Sequence, residues 1–81
     1  MYATTFENGD PINNYLAIAY AEGFEETDND LDIIRAWSYI CGTKLYLSLQ
    51  GWFGRNCRSL IENDVLQEDG TINWDQIHTD V

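Results

Sequence analysis

Apolar residues recur at helical spacing near the start of the chain, after the pair Asp10-Pro11. An N-cap residue followed by proline at the first helical position is a typical helix start. Gly23 should end this helix, because glycine readily adopts the left-handed conformation that closes helices, and Phe24 should then pack on the core. The pattern predicts an amphipathic helix of about three turns with these residues on its apolar face: Ile12, Tyr15, Leu16, Ala19 and Tyr20.

A second helix is predicted over residues 31–41, ended by Gly42. Its apolar residues cover more than one side of the helix, which indicates a central place in the core or in an oligomer interface. Thr27 and Asp30 have the spacing of a capping box, and the helix dipole stabilises acids at a helix start. Much of the negative charge here therefore has a structural explanation: Asp28, Asp30 and Asp32.

The most distinctive segment follows the second helix. Its pattern predicts a short helix or extended turn over residues 44–50, a break at residues 51–54 and a helix over residues 55–63. This arrangement resembles a helix-turn-helix. Beyond it, two short apolar segments flank turn residues 68–70, which favours a small C-terminal β-hairpin.

Together these elements predict a mainly α fold, a compact bundle of three to four short helices. A length of 81 residues is enough for one domain, residues 1–81, and leaves no room for a deep cleft between two domains. Residues 1–9 and 78–81 are expected to be flexible. No apolar run approaches the roughly 20 residues that span a bilayer, and no secretory signal is visible, so the expected location is the cytoplasm.

The charges are segregated along the chain. It carries 4 basic and 14 acidic residues, and its net charge is −10. No acid lies within residues 33–61, which hold every base: Arg35, Lys44, Arg55 and Arg58. The folded domain must either pair this basic middle with its acidic ends or display two surfaces of opposite sign. Double-stranded DNA is disfavoured as a ligand, because its phosphates repel so acidic a protein.

Candidate catalytic and metal-binding groups are sparse. Cys41 and Cys57 lack CxxC spacing, and without a secretory signal they are expected to be reduced thiols that fill core positions. His78 is the only histidine, so the chain lacks the ligands of a zinc site and a credible Cys–His nucleophile pair. The alternating acids of residues 28–32 lack the glycine and the final acid of a calcium loop. We therefore expect no metal, no cofactor and no enzymatic activity.

One run of the sequence is distinctive as a motif: Leu49-Gln50-Gly51-Trp52-Phe53-Gly54-Arg55, followed by Cys57 and Leu60-Ile61. It resembles a signature of small uncharacterised phage-encoded proteins, and the resemblance covers residues 22–62, including the pair Glu22-Gly23. The chain departs from the usual signature with Leu47 for Trp, Phe53 for Tyr, Cys57 for Ala, and Asp64 for a helix-ending Gly. The resemblance implies a phage origin, which favours a binding protein directed at the infected host.

The glycine-rich run has three main interpretations. In the first, Gly51 and Gly54 make a tight bend, Trp52 and Phe53 fill the core, and Arg55 pairs with an acid from the first or last segment. In the second, Trp52, Arg55 and Arg58 form a protein-binding hot spot, because aromatic residues and arginine dominate interface energetics. In the third, Gly51, Gly54, Arg55 and Arg58 hold a phosphate of a nucleotide at a helix N-terminus. A catalytic role is the weakest interpretation, because no nucleophile–base pair is legible.

The acidic segments also have two interpretations. Their carboxylates either keep the domain soluble and cap helices, or imitate nucleic-acid phosphates in a basic groove of a partner. We expect a small acidic phage-type protein that binds and modulates or inhibits a host or host-defence protein in the cytoplasm of an infected bacterium. The expected contact residues are Trp52, Arg55 and Arg58, with Asp28, Asp30 and Asp32 as a second surface. The alternative is a nucleotide- or phosphate-binding protein, and self-association is a further option.

Overall fold

A computed structural model of the chain describes residues 1–23 and 30–77. Within these ranges the chain forms four α-helices and one 3-10 helix, without a β-strand, so the predicted mainly α fold is confirmed. No helix of the described ranges is long and apolar enough to cross a membrane. The elements are α1 (Asn14–Glu22), α2 (Asp30–Gly42), a 3-10 helix (Leu45–Ser48), α3 (Gly51–Glu62) and α4 (Trp74–Ile77).

Helix α1 begins later than predicted. The Asn13 side chain is its N-cap and accepts a hydrogen bond of 2.8 Å from the backbone N–H of Leu16. The predicted start at Asp10 and Pro11 is wrong, because Pro11 instead forms an antiparallel bridge with Thr5. That bridge reverses the chain, and a proline is acceptable there because the hydrogen bonds of the bridge run from Phe6 N–H to the Asp10 carbonyl and from Ile12 N–H to the Thr4 carbonyl, so no N–H of Pro11 is needed.

Part of the N-terminal segment, residues 1–9, packs against the helices. Phe6 is buried, and its ring lies 4.6 Å from the ring of Tyr20, centroid to centroid. The backbone N–H of Ala3 donates a 2.8 Å hydrogen bond to the hydroxyl of Ser38 on α2. The N-terminal segment therefore contributes Phe6 to the core, beside the buried aromatic side chains of α2 and α3.

The end of α1 agrees with the prediction, but one residue of its buried face does not. Gly23 has a φ of 81° and its N–H reaches the carbonyl groups of the last turn, as expected for a glycine cap. Tyr15, predicted to face the core, is 74% exposed, whereas Ala17 is fully buried. The two lie about 160° apart around the helix, so burial of Ala17 against α2 places Tyr15 in solvent. The predicted packing of Phe24 lies outside the described residues.

Helix α2 is the central element of the fold. It packs against α1, the 3-10 helix and α3. The expected core position of this helix is therefore confirmed, while its apolar residues Ile33, Ile34 and Tyr39 are only partly buried. Five of its residues are buried: Ala36, Trp37, Ser38, Ile40 and Cys41.

Helix α3 begins at Gly51, so the predicted break at residues 51–54 is wrong and this stretch forms the first turn of the helix. A Cβ atom added at Gly54 would lie 3.4 Å from the ring of Tyr46 in the 3-10 helix. Gly54 thus lies where α3 faces the 3-10 helix, and it does not bend the chain. The inward side of α3 buries Phe53 and Cys57.

The two cysteines form a disulfide bond between α2 and α3, which corrects the expectation of reduced thiols. The Cα atoms of Cys41 and Cys57 are 5.8 Å apart, within the range that a disulfide requires. Both residues are buried. Reduced thiols were expected because no secretory signal indicates an oxidising compartment. The pairing of the two cysteines depends instead on how α2 and α3 cross.

The C-terminal segment folds back on itself after α3. The region predicted as a small hairpin contains one antiparallel bridge, between Leu66 and Ile72, and both residues are buried. The turn between them is closed by a 2.8 Å hydrogen bond from the N–H of Gln67 to the carbonyl of Thr71. This turn covers the side of the core next to the N-terminal segment, where Ala3 and Thr71 line the same surface depression.

Candidate functional site

The residues predicted to bind a partner, Trp52, Arg55 and Arg58, follow one another at intervals of three along α3. Residues three apart are neighbours on a helix surface, so Arg55 adjoins both of the others. Trp52 is half-buried, and the two arginines are exposed. The structure therefore brings an aromatic residue and two cations together on adjoining turns of one helix.

Trp52 is held in a cluster of aromatic rings. Its ring stacks on that of Phe53 at a centroid distance of 4.0 Å and meets Trp37 of α2 edge to face at 5.9 Å. Phe53 and Trp37 are both buried. Such contacts restrict the indole, so its exposed part is a rigid feature of the surface.

Arg55 folds back towards the start of α3. Its Nη1 atom lies 3.2 Å from the position that a Cβ atom would take at Gly51. Within residues 1–23 and 30–77 Arg55 forms no ion pair, so the expected pairing with a terminal acid is not found in this part of the chain. Its charge is available to a ligand at this helix end.

Arg35 is the base that pairs with the acidic N-terminal segment. Its Nε atom donates to the Glu7 carboxylate at 2.7 Å, and its Nη1 atom donates to the Thr5 carbonyl at 3.2 Å. The guanidinium also lies 5.5 Å from the ring centroid of Trp74, a cation–π arrangement. The pairing of Arg35 was not predicted from the sequence, in which its only signal is that Arg35 belongs to the basic stretch of residues 33–61.

Arg58 makes only a loose ion pair. Its Nη1 atom lies 3.9 Å from the carboxylate of Glu62 one turn later, and the two side chains are 78% and 66% exposed. Pairs of this kind contribute little to stability, since solvent screens both charges. Arg58 can therefore exchange Glu62 for an acidic group of a ligand at small cost.

The acids proposed as a second surface have mixed environments. The Asp32 carboxylate accepts a 2.8 Å hydrogen bond from the backbone N–H of Glu7, so it fixes the N-terminal segment to α2. Asp30 is exposed in the first turn of α2, where the helix dipole favours a negative charge. Asp28 lies outside the described residues. Two of the three acids thus have a structural role that needs no ligand.

The four residues of the phosphate-binding alternative fall into two groups. Gly51 and Arg55 lie together at the start of α3, where the side chain of the N-cap residue Gln50 forms no capping hydrogen bond. Gly54 instead faces Tyr46, and Arg58 lies further along the helix. The first group could hold a phosphate with free backbone N–H groups and one guanidinium.

A groove of about 410 Å³ opens between the 3-10 helix, α3 and the C-terminal turn. Sequence reasoning did not group its residues, because they come from three separate segments. The groove carries charges of both signs. Its lining consists of Lys44, Tyr46, Gly54, Cys57, Arg58, Ile61, Glu62 and Glu68.

In the described part of the chain, no group of three or more His, Cys, Asp or Glu residues could hold a metal ion. Comparisons with protein-family models, with curated proteins and with solved structures found no match for this chain. The resemblance to phage-encoded proteins stays a prediction from the motif around Gly51.

Proposed function

We propose that this chain is a small acidic phage-type protein that binds and modulates or inhibits a host or host-defence protein through α3. The observation that carries the proposal is the rigid, half-buried Trp52 beside Arg55, which has no ion pair among the described residues. The motif around these residues supports a phage origin, and the cytoplasm of an infected bacterium is the proposed location.

The energetics of α3 favour protein contact. A tryptophan already fixed by Phe53 and Trp37 loses little conformational freedom when a partner covers it. Arg55 and Arg58 supply planar donors for carboxylates or carbonyl groups of the partner. Aromatic residues with adjacent arginines are the composition that most often dominates binding energy at protein interfaces.

Nucleic-acid mimicry by the acidic surface is a second way in which the chain could reach a host protein. The net charge of −10 supports it, because a basic groove attracts such a surface at long range. Binding of this type should weaken steeply between about 50 and 200 mM salt, through screening and release of counterions. A partner that stays bound over this range would exclude mimicry as the main source of affinity.

The second candidate function is the binding of a nucleotide or phosphate at the start of α3. It is favoured by one observation, the position of the Arg55 guanidinium over Gly51. Under this alternative, ATP or GTP should raise the melting temperature of the wild-type chain but not that of Arg55→Gln. Under the main proposal neither nucleotide changes the melting temperature.

The proposal is tested with purified tagged protein and host lysate, comparing wild type with Arg55→Gln and Arg58→Gln. Gln76→Glu on α4 is the matched control, because it makes the same change of net charge at an exposed position of another element. We expect a partner that wild type and the control capture and that both arginine variants lose. Calorimetry with that purified partner should then show a loss of at least about tenfold in affinity for Arg55→Gln.

If wild type and all three variants capture the same host proteins equally, the proposal that α3 is the binding surface is contradicted. Circular dichroism and thermal melting of each variant establish that a lost interaction is not a lost fold. Because both arginines are exposed, we expect their melting temperatures to stay close to that of wild type.

A further inference from the structure

A second groove, of about 480 Å³, lies beside α4. We call it the α4 groove, and it is lined by the segment that follows α3, by the C-terminal turn and by α4 itself. Its lining includes Asp64, Asp75 and Trp74, of which Trp74 is 38% exposed. None of the three α3 residues proposed to bind the host protein belongs to it. The α4 groove is therefore separate from that surface.

Two amide side chains of the α4 groove are committed to bonds within the fold. Gln67 Nε2 donates to Asn73 Oδ1 at 2.9 Å, and Asn73 Nδ2 donates to the backbone carbonyl of Asp64 at 2.7 Å. Asn73 thus uses both its amide oxygen and its amide nitrogen inside the protein. These hydrogen bonds hold the backbone of Asp64 to the C-terminal turn, so one edge of the groove is fixed before a ligand binds.

The two carboxylates of the α4 groove have no cationic partner among residues 1–23 and 30–77. Asp64 and Asp75 are both exposed. Asp64 also has a left-handed backbone, with a φ of 62°, and strain of this kind is concentrated at positions whose side chains bind ligands. Carboxylates only accept hydrogen bonds, so this pair favours a ligand that donates hydrogen bonds and is positively charged.

Trp74 adds an apolar surface next to these charges. The guanidinium of Arg35 lies 5.5 Å from the centroid of its ring, but Arg35 does not line the α4 groove and its charge is paired with Glu7. That pairing reduces the repulsion between Arg35 and a cationic ligand. The methylene chain of an aliphatic amine can pack on the exposed part of Trp74 while its ammonium groups reach the carboxylates.

We propose that the α4 groove binds an aliphatic polyamine, with one ammonium group at Asp64, a second at Asp75 and the methylene chain on Trp74. The net charge of −10 attracts such cations to the whole protein. The groove adds a match to both parts of the molecule, its charged ends and its apolar middle. The inference goes beyond the proposed function and does not require the host partner to be known.

Putrescine, a diamine with a short methylene chain, is the probe, and its binding is followed by NMR titration of the nitrogen-15-labelled chain. Magnesium ion is one control ligand, because it has the same charge without an apolar chain. n-Butylamine is the other, because it has the chain but a single ammonium group. We expect putrescine to shift the amide signals of residues 64–76 and to bind at least about fivefold more tightly than either control ligand.

Two variants each remove one carboxylate of the α4 groove. They are Asp64→Asn, which keeps a residue that tolerates the left-handed conformation, and Asp75→Asn. Glu22→Gln makes the same change of net charge at an exposed position of α1, outside the groove. The affinity for putrescine should fall by about three- to fivefold in both groove variants and stay within about 1.5-fold of wild type in Glu22→Gln.

An equal loss of affinity in Glu22→Gln and in the groove variants would overturn the proposal, because it would show general attraction to an acidic protein. Unchanged affinity in all variants would also overturn it, as would a control ligand that binds as tightly as putrescine. If circular dichroism shows that one groove variant is unfolded, the other one decides the outcome.

Discussion

The hydroxyl of Ser38 donates a hydrogen bond of 2.6 Å to the carbonyl of Gly70 inside the core. The same oxygen accepts the 2.8 Å hydrogen bond from the backbone of Ala3. One fully buried side chain on α2 therefore joins both the N-terminal segment and the C-terminal turn to the centre of the fold.

Replacing Ser38 by alanine should destabilise the chain, because the Ala3 N–H and the Gly70 carbonyl would lose their shared partner. An unpaired buried polar group costs about 1–3 kcal/mol, so we expect the free energy of unfolding to fall by about that amount. Urea denaturation followed by circular dichroism measures it. Ser48→Ala, at an exposed serine of the 3-10 helix, should change the value by less than about 0.5 kcal/mol.

Gly70 should not tolerate a side chain. Its φ is +89°, and an added Cβ atom would lie 2.7 Å from the Ser38 carbonyl oxygen and 2.8 Å from the Cα atom of Gly42. We expect Gly70→Ala to lower the melting temperature far more than Gly23→Ala. Gly23 has a similar φ of +81° but no atom within 4 Å of its added Cβ, so it measures the backbone strain alone, about 1–2 kcal/mol. Similar losses in the two variants would show that crowding at Gly70 is unimportant.

Replacing Asp64 by glycine should stabilise the fold. It follows α3 in the left-handed conformation, with a φ of 62°, which strains a residue that has a Cβ atom. Asp64→Gly should release about 1–2 kcal/mol of backbone strain. Glycine has greater freedom in the unfolded chain, which costs about 0.5–1 kcal/mol. The free energy of unfolding should therefore rise by about 0.5–1 kcal/mol. Thermal melting should show a gain for Asp64→Gly and a loss for Asp64→Ala. A loss in both would contradict this explanation.

Thr71 should control the titration of Asp69. Its side chain and its backbone N–H bond to the carboxylate and lower the pKa of Asp69 from 3.8. Because the pKa is lowered in the folded state, the stabilisation is present above pH 3.8 and is lost as the pH falls through the folded pKa. Thr71→Val should move the pKa of Asp69 towards 3.8 in an NMR titration. Thr43→Val is the control and should leave that pKa unchanged, because the Thr43 hydroxyl donates to the Tyr39 carbonyl.

Features set by local backbone chemistry could be predicted from the sequence. Gly23 was identified correctly as a cap because a left-handed helix end needs glycine wherever it occurs. Helix α2 was placed within one residue at each end because its apolar residues have a strong helical period. The same reasoning failed at Gly54, which lies inside α3 and faces the ring of Tyr46 instead of making a bend.

Features set by the packing of distant segments could not be predicted. The charge segregation suggested a pairing between the basic middle and the acidic ends, and among the described residues Arg35, not Arg55, makes it. That choice depends on where the reversal near Thr5 places Glu7, which follows from the fold. The disulfide between Cys41 and Cys57 was missed for the same reason, since it depends on how α2 and α3 cross.

The pairing of Arg35 with Glu7 makes the charge distribution of the molecule uneven. Arg35 is held by Glu7, and the other three basic side chains lie on α3 or just before the 3-10 helix: Lys44, Arg55 and Arg58, of which Arg58 makes a loose pair with Glu62. A basic partner is therefore drawn to the acidic ends and turns α3 away from itself as it approaches. An acidic partner that binds α3 must first overcome the repulsion of the whole molecule. Its association should become faster when salt is added, the reverse of what most oppositely charged protein pairs show.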